Sequence, residues 1–384
     1  MKADKRNTVV IATGGTGGHV YPAEALSRHI EKKFNVVFTI DDRGFNFIKD
    51  IVDVSKVFKI FSVSSATLLS SYIKILLLFV NCLRLVHLFV AIKPRCVVCF
   101  GGYASLAPAF AAFLMRIPVV VHEQNSVLGK SNKIISYFCR SLAVSFPDTV
   151  GLPSTVLNKV VVTGLPMRPE LLDIARSTQY KAESTPTLVA GDEVENSAIL
   201  GKTESDADHS ILSILVIGGS QGAKVFSDIF PSAISLLPLD KQKQIAVTQQ
   251  VRQEDMENVN EFYSKTSARV ELSTFFKDIG RKIATHDLII SRAGAATVFE
   301  LILFQKQSIL VPFPSAADNH QFHNAIFIRD NLGAILIPQD EFSSAKLCDI
   351  ILRFLSNRSE LKTSSKINRR FFCESAAKNL AELL

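Results

Sequence analysis

The chain has 384 residues, an apolar fraction of 47 %, 27 Phe and no Trp, which excludes a disordered or fibrous protein. Its length exceeds one ordinary core, so two domains of about 150–200 residues are expected. Net charge is +7, but residues 178–210 hold seven acids against two bases; the remainder therefore carries +12. Such a basic body suits phosphate-bearing partners: nucleic acid, nucleotides or an anionic membrane face.

The six cysteines follow no disulfide or zinc pattern, and Cys96-Val97-Val98-Cys99 has CxxC spacing but no second pair. They read as reduced thiols of a cytosolic protein. The charged stretch Met1 to Asn7 precedes a strand directly, so no signal peptide is expected.

In chain order, the β-branched run Thr8 to Thr13 leads into Gly14-Gly15-Thr16-Gly17-Gly18-His19, with an amphipathic segment at Ala23 to Phe34. That is strand, tight turn and helix, and the free N–H groups of such a turn suit an anion. Asn35 to Ile40 is a second strand, ending at Asp41-Asp42, which leaves open a dinucleotide ribose ligand there. Leu68 to Ile92 is the most hydrophobic stretch, interrupted by Lys74, Asn81, Arg84 and His87. A charge at a bilayer centre costs about 2.5–3.5 kcal/mol, which argues against a span. Helical spacing turns Leu76, Leu77, Phe79, Val80, Leu83, Val86 and Val90 inward, and the surplus apolar residues beside Lys74 and Arg84 suit either a membrane contact or plain burial.

Cys96 to Phe100 is a continuous apolar strand ending in Gly101-Gly102-Tyr103, followed by a helix from Ala107 to Leu114. Pro118 to Val121 is a strand running into His122-Glu123-Gln124-Asn125, polar chemistry at the end where open α/β sheets place ligands. Ser141 to Phe146 and Lys159 to Val162 are further strands. Residues 178–210 are acidic and aperiodic, an insertion at a domain boundary.

The opening pattern then returns. Ile211 to Ile217 is a strand, Gly218-Gly219-Ser220-Gln221-Gly222-Ala223 a glycine turn, and Lys224 to Leu237 a helix. Strands follow at Gln244 to Thr248, Val270 to Ser273, Asp287 to Ser291, Ser308 to Val311 and Ala334 to Ile337, with helices at Ala345 to Leu355 and from Lys366 to Leu383. Two strand–glycine–helix units about 200 residues apart make two α/β halves facing across a cleft, a two-substrate site. Gly294 to Thr297 opens a helix whose N–H groups suit a diphosphate. Glu300 follows within the first turns, placed to accept from ribose hydroxyls or simply favoured there by the helix dipole. Neither turn carries a Walker A pattern, and no carboxylate–His metal cluster is visible, so the chemistry falls to electrostatics and a general base.

These segments, with Arg292-Ala293-Gly294-Ala295-Ala296-Thr297 and Asp318-Asn319-His320-Gln321 with Asn324-Ala325, resemble the MurG family of bacterial N-acetylglucosaminyltransferases. The match spans nearly the whole chain except 178–210. The resemblance implies a GT-B fold: an acceptor- and membrane-side Rossmann-like domain at 1–165, a UDP-sugar domain at 211–365, and a helix at 366–384 returning to the first. It implies transfer of N-acetylglucosamine from UDP-N-acetylglucosamine to an undecaprenyl-diphosphate-linked muramyl pentapeptide, with inversion and no metal or cofactor. It further implies a peripheral place on the cytoplasmic face of the inner membrane, an anionic membrane surface and wall-synthesis proteins as partners, and no nucleic acid. By the same resemblance Ser220, Phe276, Ala295, Ala296, Thr297, Val298, Phe299, Glu300 and Gln321 hold the UDP-sugar, Glu300 on the ribose. Asn125 and Arg168 reach it from the first domain, Arg168 against diphosphate charge, and Thr16, Gly17 and Gly18 line the diphosphate region. His19 is the candidate base for the acceptor hydroxyl, its alternative role being to stiffen the turn.

The chain departs from the family pattern in places. Residues 178–210 have no counterpart, Thr248-Gln249-Gln250-Val251 replaces a His-Gln-Thr/Ser-Gly stretch, and Phe299 stands where a small polar residue is common. Ser62 to Ser71 lacks the usual glycine and basic residues. Other readings are a different lipid glycosyltransferase or UDP-sugar epimerase on the same fold, a nicotinamide-dependent oxidoreductase, and a non-catalytic scaffold for wall synthesis.

Overall fold

The computed structural model describes residues 7–61, 71–183, 211–219, 222–362 and 366–384. Ser220, the stretch 62–70 and most of the acidic 178–210 segment lie outside the described residues.

The first domain runs β1 (Thr8–Thr13), α1 (Gly17–Ile30), β2 (Asn35–Ile40), α2 (Asp42–Ile48), β3 (Val57–Lys59), α3 (Ser71–Ile92), β4 (Cys96–Cys99), α4 (Leu106–Leu114), β5 (Val119–Glu123), α5 (Lys130–Ser136), β6 (Ser141–Val144) and β7 (Val160–Val162). Its seven strands are all parallel, in the order β3-β2-β1-β4-β5-β6-β7. Parallel strands covered on both faces must be apolar throughout, and Val9, Val10, Ile11 and Ala12 are all fully buried.

After α6 (Pro169–Glu183) the second domain runs β8 (Leu212–Ile217), α7 (Lys224–Ser235), α8 (Leu239–Gln242), β9 (Ile245–Gln250), α9 (Met256–Ser264), β10 (Arg269–Ser273), α10 (Ile279–Thr285), β11 (Leu288–Ser291), α11 (Ala295–Phe304), β12 (Gln307–Leu310), α12 (His320–Leu332), β13 (Ile335–Leu336) and α13 (Ser344–Ser356). Its six strands are again parallel, ordered β10-β9-β8-β11-β12-β13. In each sheet the order reverses beside the first strand, between β1 and β4 and between β8 and β11. Open α/β sheets bind ligands at that reversal, outside the carboxyl ends of the strands. All four loops there are the glycine-bearing segments: Gly14–Gly18, Gly101–Gly102, Gly218–Gly222 and Arg292–Gly294.

The chain closes not with one long helix but with an irregular turn at Arg370–Glu374 and α14 (Ala376–Ala381). Cys373 sits in the core of the second domain, whereas Leu380 and Leu384 join Val9, Ile11 and Leu26 in that of the first. The crossing is tight. Gly164, with φ +78°, lies so close to the Phe372 backbone that a Cβ there would meet its carbonyl oxygen at 2.3 Å.

The face of α3 differs from the expected one. Leu85 and Phe89 are fully buried, with Leu78, Cys82, Val86 and Ile92 packed beside them. Leu76, Phe79, Leu83 and Val90, expected inward, are each more than half exposed, and of the seven residues only Val86 joins the packed set. A helix apolar all round carries little periodicity in its sequence, so packing partners choose the buried face. By length and composition this helix could cross a membrane.

Candidate active site

The first wall of the cleft is the turn between β1 and α1. Gly15 takes φ +79°, and the Asp41 carboxylate at the end of β2 holds the loop from below. Asp41 Oδ1 accepts from the N–H of Gly15 at 3.0 Å and from that of Gly44 at 2.8 Å, so it also caps α2. That oxygen is committed to the protein, and Asp42 pairs with Lys59 at 3.2 Å, which argues against the ribose role left open above. Sequence reasoning missed Asp41 as a staple, although its place just after a strand facing the glycine turn was the signal.

Helix α1 begins at Gly17, earlier than expected, with Thr16 as an N-cap whose side chain makes no capping bond. His19 donates from Nδ1 to the Gly14 carbonyl at 3.3 Å. A carbonyl oxygen only accepts, so the neutral ring carries its proton on Nδ1 and leaves the Nε2 lone pair free. Burial pulls the His19 pKa below its ordinary value, more than Glu123 and the Gly14 carbonyl push it up. Neutral at pH 7 with Nε2 unspent, the ring is equipped to take a proton. Beside it Gly14, Asp41, Arg43, Phe61, Gly102 and Tyr103 help line a hollow of about 100 Å³. Arg43 was not singled out from sequence, and Tyr103 only as the end of the Gly101-Gly102-Tyr103 segment, with no role given to it.

The run His122-Glu123-Gln124-Asn125 proves mostly architectural. His122 is fully buried, donates from Nε2 to Gly164 O at 3.0 Å and accepts from Gln124 Nε2 at Nδ1. Burial lowers its pKa to about 4, so it is locked neutral. Glu123 gathers the N–H groups of Asn125 and Gly129 and the Asn132 amide, fixing the loop after β5. Of the four, only Asn125 is not fully enclosed; it is half-buried.

The second wall is the entry to α11. Gly294 caps it without a side-chain bond, and a Cβ on Gly294 would meet nothing within 4 Å. The first intrahelical bond runs from Val298 N–H to Gly294 O, so the preceding amides of Ala295, Ala296 and Thr297 are available to an anion. Arg292 braces this loop: its guanidinium donates to Val311 O, Pro312 O and Gln339 Oε1 between the rings of Phe226 and Phe313. One turn into α11, Glu300 is buried, and desolvation raises its pKa to about 7 against the opposing charge of Arg168. Gln321, at the start of α12, accepts from Phe313 N–H at 3.0 Å. Gln250, at the end of β9 in the stretch that departs from the family motif, accepts from the Gly218 N–H of the second glycine turn at 3.1 Å.

Three cross-domain relations make these walls one site. Arg168 stacks over the Tyr21 ring of α1 at 4.7 Å while its charge reaches Glu300. His19 and His320 of α12 lie near enough to each other to interact electrostatically. Asn125 accepts a hydrogen bond from Asn324 of α12 at 3.2 Å. The structure therefore places Thr16, Gly17, Gly18 and His19 on the first wall, Ala295, Ala296, Thr297, Glu300 and Gln321 at the second, and Asn125 and Arg168 where the two domains meet. It does not bring the side chains of Val298, Phe299 and Phe276 into the cleft. Val298 and Phe299 are fully buried, Phe299 edge-on to Phe146 at 5.0 Å, and Phe276 is a core ring with Lys282 over it. Among the described residues, no three His, Cys, Asp or Glu converge as a metal cage.

Comparison with known proteins decides the family. The glycosyltransferase family 28 N-terminal domain matches residues 9–144 and its C-terminal domain residues 213–380. The UDP-N-acetylglucosamine–N-acetylmuramyl-(pentapeptide) pyrophosphoryl-undecaprenol N-acetylglucosamine transferase of Rickettsia prowazekii is 35 % identical over 94 % of this chain and 95 % of its own length. Its Rickettsia bellii counterpart is 35 % identical over 98 % and 99 %. The chain belongs to this transferase family. The crystal structure of Acinetobacter baumannii MurG superposes with a TM-score of 0.73 at 25 % identity, covering 98 % of both chains. A UDP-N-acetylglucosamine 2-epimerase from Neisseria meningitidis, TM-score 0.65 at 12 % identity over 98 % of both chains, shares the fold alone. The GT-B architecture of two Rossmann-like domains is thereby established for this family member.

Proposed function

We propose that this chain transfers N-acetylglucosamine from UDP-N-acetylglucosamine to a muramyl-pentapeptide pyrophosphoryl-undecaprenol acceptor. The observation that carries the reading is the meeting, across one cleft, of a neutral histidine with a free Nε2 and a helix N-terminus with free amides. The donor lies against the second domain, its diphosphate at the amides of Ala295, Ala296 and Thr297. Glu300 accepts from the ribose hydroxyls, and Arg168 supplies positive charge from the first-domain side. Ser220 and Gln321 belong to the same donor wall by resemblance. The acceptor diphosphate lies along Thr16, Gly17 and Gly18.

His19 Nε2 takes the acceptor hydroxyl proton as that oxygen attacks the anomeric carbon. The bond to the UDP oxygen breaks on the opposite face, giving inversion, and the leaving diphosphate charge is met by helix amides and Arg168. The exposed face of α3, with Tyr72, Ile75, Leu76, Phe79 and Leu83, joins Phe113 and Leu114 at the end of α4 as the surface that meets the cytoplasmic leaflet. The basic balance of the body adds attraction to anionic lipid. Wall-synthesis proteins at the same leaflet are the partners this placement favours.

The test is incorporation of labelled N-acetylglucosamine into a lipid-extractable product. Label should move only when the lipid-linked muramyl acceptor is supplied; binding of the UDP-sugar without any such product would overturn the proposal.

A further inference from the structure

Asn324 of α12 has its side chain fully enclosed. Its Oδ1 accepts two hydrogen bonds from Ser126 of the first domain, from the backbone N–H at 2.9 Å and from Oγ at 2.8 Å. Its Nδ2 donates to Asn125 Oδ1 at 3.2 Å and to Ala293 O at 3.0 Å. One amide thus uses both lone pairs and both protons. The orientation is forced, because Ser126 N–H can only donate and Ala293 O can only accept. It follows that Asn125 must present Oδ1 to Asn324 and turn Nδ2 toward Glu123 Oε1, 3.3 Å away. Ala293 lies directly before Gly294 and the free amides of α11, while Asn125 closes the loop after β5. A single buried side chain therefore ties the loop of one domain to the helix entry of the other, and fixes the orientation of the Asn125 amide.

We propose that Asn324 is a positioning residue for the transfer: it holds the acceptor-side loop Asn125–Ser126 in register with the entry of α11, so that attack and departure occur along one line. The inference rests on the transfer reaction proposed above. Buried amides left without partners are costly, so the tie has two states, made or broken, with little between. A displacement of about 1 Å between reacting groups is enough to slow a reaction about a hundredfold without touching either binding site. The uridine diphosphate wall, made by the amides of Ala295, Ala296 and Thr297 with Glu300 and by Arg168 from the first-domain side, uses no group that bonds to Asn324.

The experiment uses the full chain with Asn324→Ala, Ser126→Ala and the double substitution, measuring kcat and KM for transfer, the dissociation constant for UDP and the melting temperature. Asn324→Ala should lower kcat by about tenfold or more while UDP binding stays within about threefold. Ser126→Ala, which leaves the second domain untouched, should lower kcat by a smaller factor, and the double substitution should be no worse than Asn324→Ala alone. An unchanged kcat in Asn324→Ala, or UDP binding that weakens as much as kcat falls, would overturn the positioning role. So would a double substitution equal to the product of the two single effects. Should Asn324→Ala fail to fold, Ser126→Ala decides by itself, with an unaltered kcat counting against the tie. Absence of transfer by the unsubstituted chain is a separate result, which would remove the reading this inference rests on.

Discussion

At the scale of single residues the cleft holds two titratable groups displaced in opposite directions by the same cause. Burial lowers the pKa of His19 and raises that of Glu300 to about 7. The base must be neutral, so kcat at saturating donor should fall only as pH drops below the ordinary histidine range. The ribose ligand must be ionised, so affinity for UDP-N-acetylglucosamine should already weaken as pH falls through about 7, by up to about tenfold per unit. Calorimetric Kd and steady-state kcat measured across pH 5–8 would separate the two limbs; a shared limb would contradict the assignment of roles. His19→Ala should lower kcat by about a hundredfold or more with little change in donor affinity, and a pure affinity loss would remove His19 as base.

His122 makes a stability prediction of the same kind. Its folded pKa of about 4 is depressed from the ordinary 6.5, so its contribution is complete above 6.5 and disappears as pH falls toward 4. The shift corresponds to about 3 kcal/mol. Thermal melts over that window should slope steeply for the native chain and less so for His122→Gln. Little of this was legible in the sequence. The run His122-Glu123-Gln124-Asn125 announces chemistry, but which of its members faces ligand and which faces Gly164 or Gly129 depends on partners 6 to 42 positions away.

Among the elements, those with strong local signals were legible. β-branched runs gave the strands of both sheets, and the repeated glycine turns gave the two halves. β3 escaped because Val57-Phe58-Lys59 is too short to alternate, and α1 was placed late because Gly17 and Gly18 look like turn residues although they form the first helical turn. The face of α3 was misassigned for want of contrast along its length. Arg84 shows the same effect: its guanidinium lies over Phe58 at 5.1 Å and Phe61 at 4.6 Å instead of standing free for lipid headgroups. The exposed face is nonetheless testable. Phe79→Glu with Leu83→Glu should abolish co-sedimentation with phosphatidylglycerol vesicles and shift the melting temperature by less than about 3 °C, because both side chains are already more than half exposed. Undiminished vesicle binding would place the membrane contact elsewhere.

For the whole molecule, the two domains meet through a shared core and a shared cleft. Phe146 of the first domain packs edge-on to Phe299 and Phe327 of the second, both at 5.0 Å, and the C-terminal segment bonds to the linker through Leu165 N–H and Phe372 O. Neither contact was legible in sequence, since pairing over 150 residues leaves no periodic trace; Phe299 looked instead like an unusual ligand. What sequence did carry was the duplication itself, and with it the two-substrate cleft. The central claim is that this cleft couples departure of UDP to attack by a lipid-linked acceptor. The direct measurement is UDP release from UDP-N-acetylglucosamine by the purified chain, with and without the muramyl-pentapeptide pyrophosphoryl-undecaprenol acceptor. UDP should appear in step with acceptor consumed and at no appreciable rate without it. Release of UDP independent of acceptor, or isomerisation of the sugar nucleotide in place of transfer, would contradict the account.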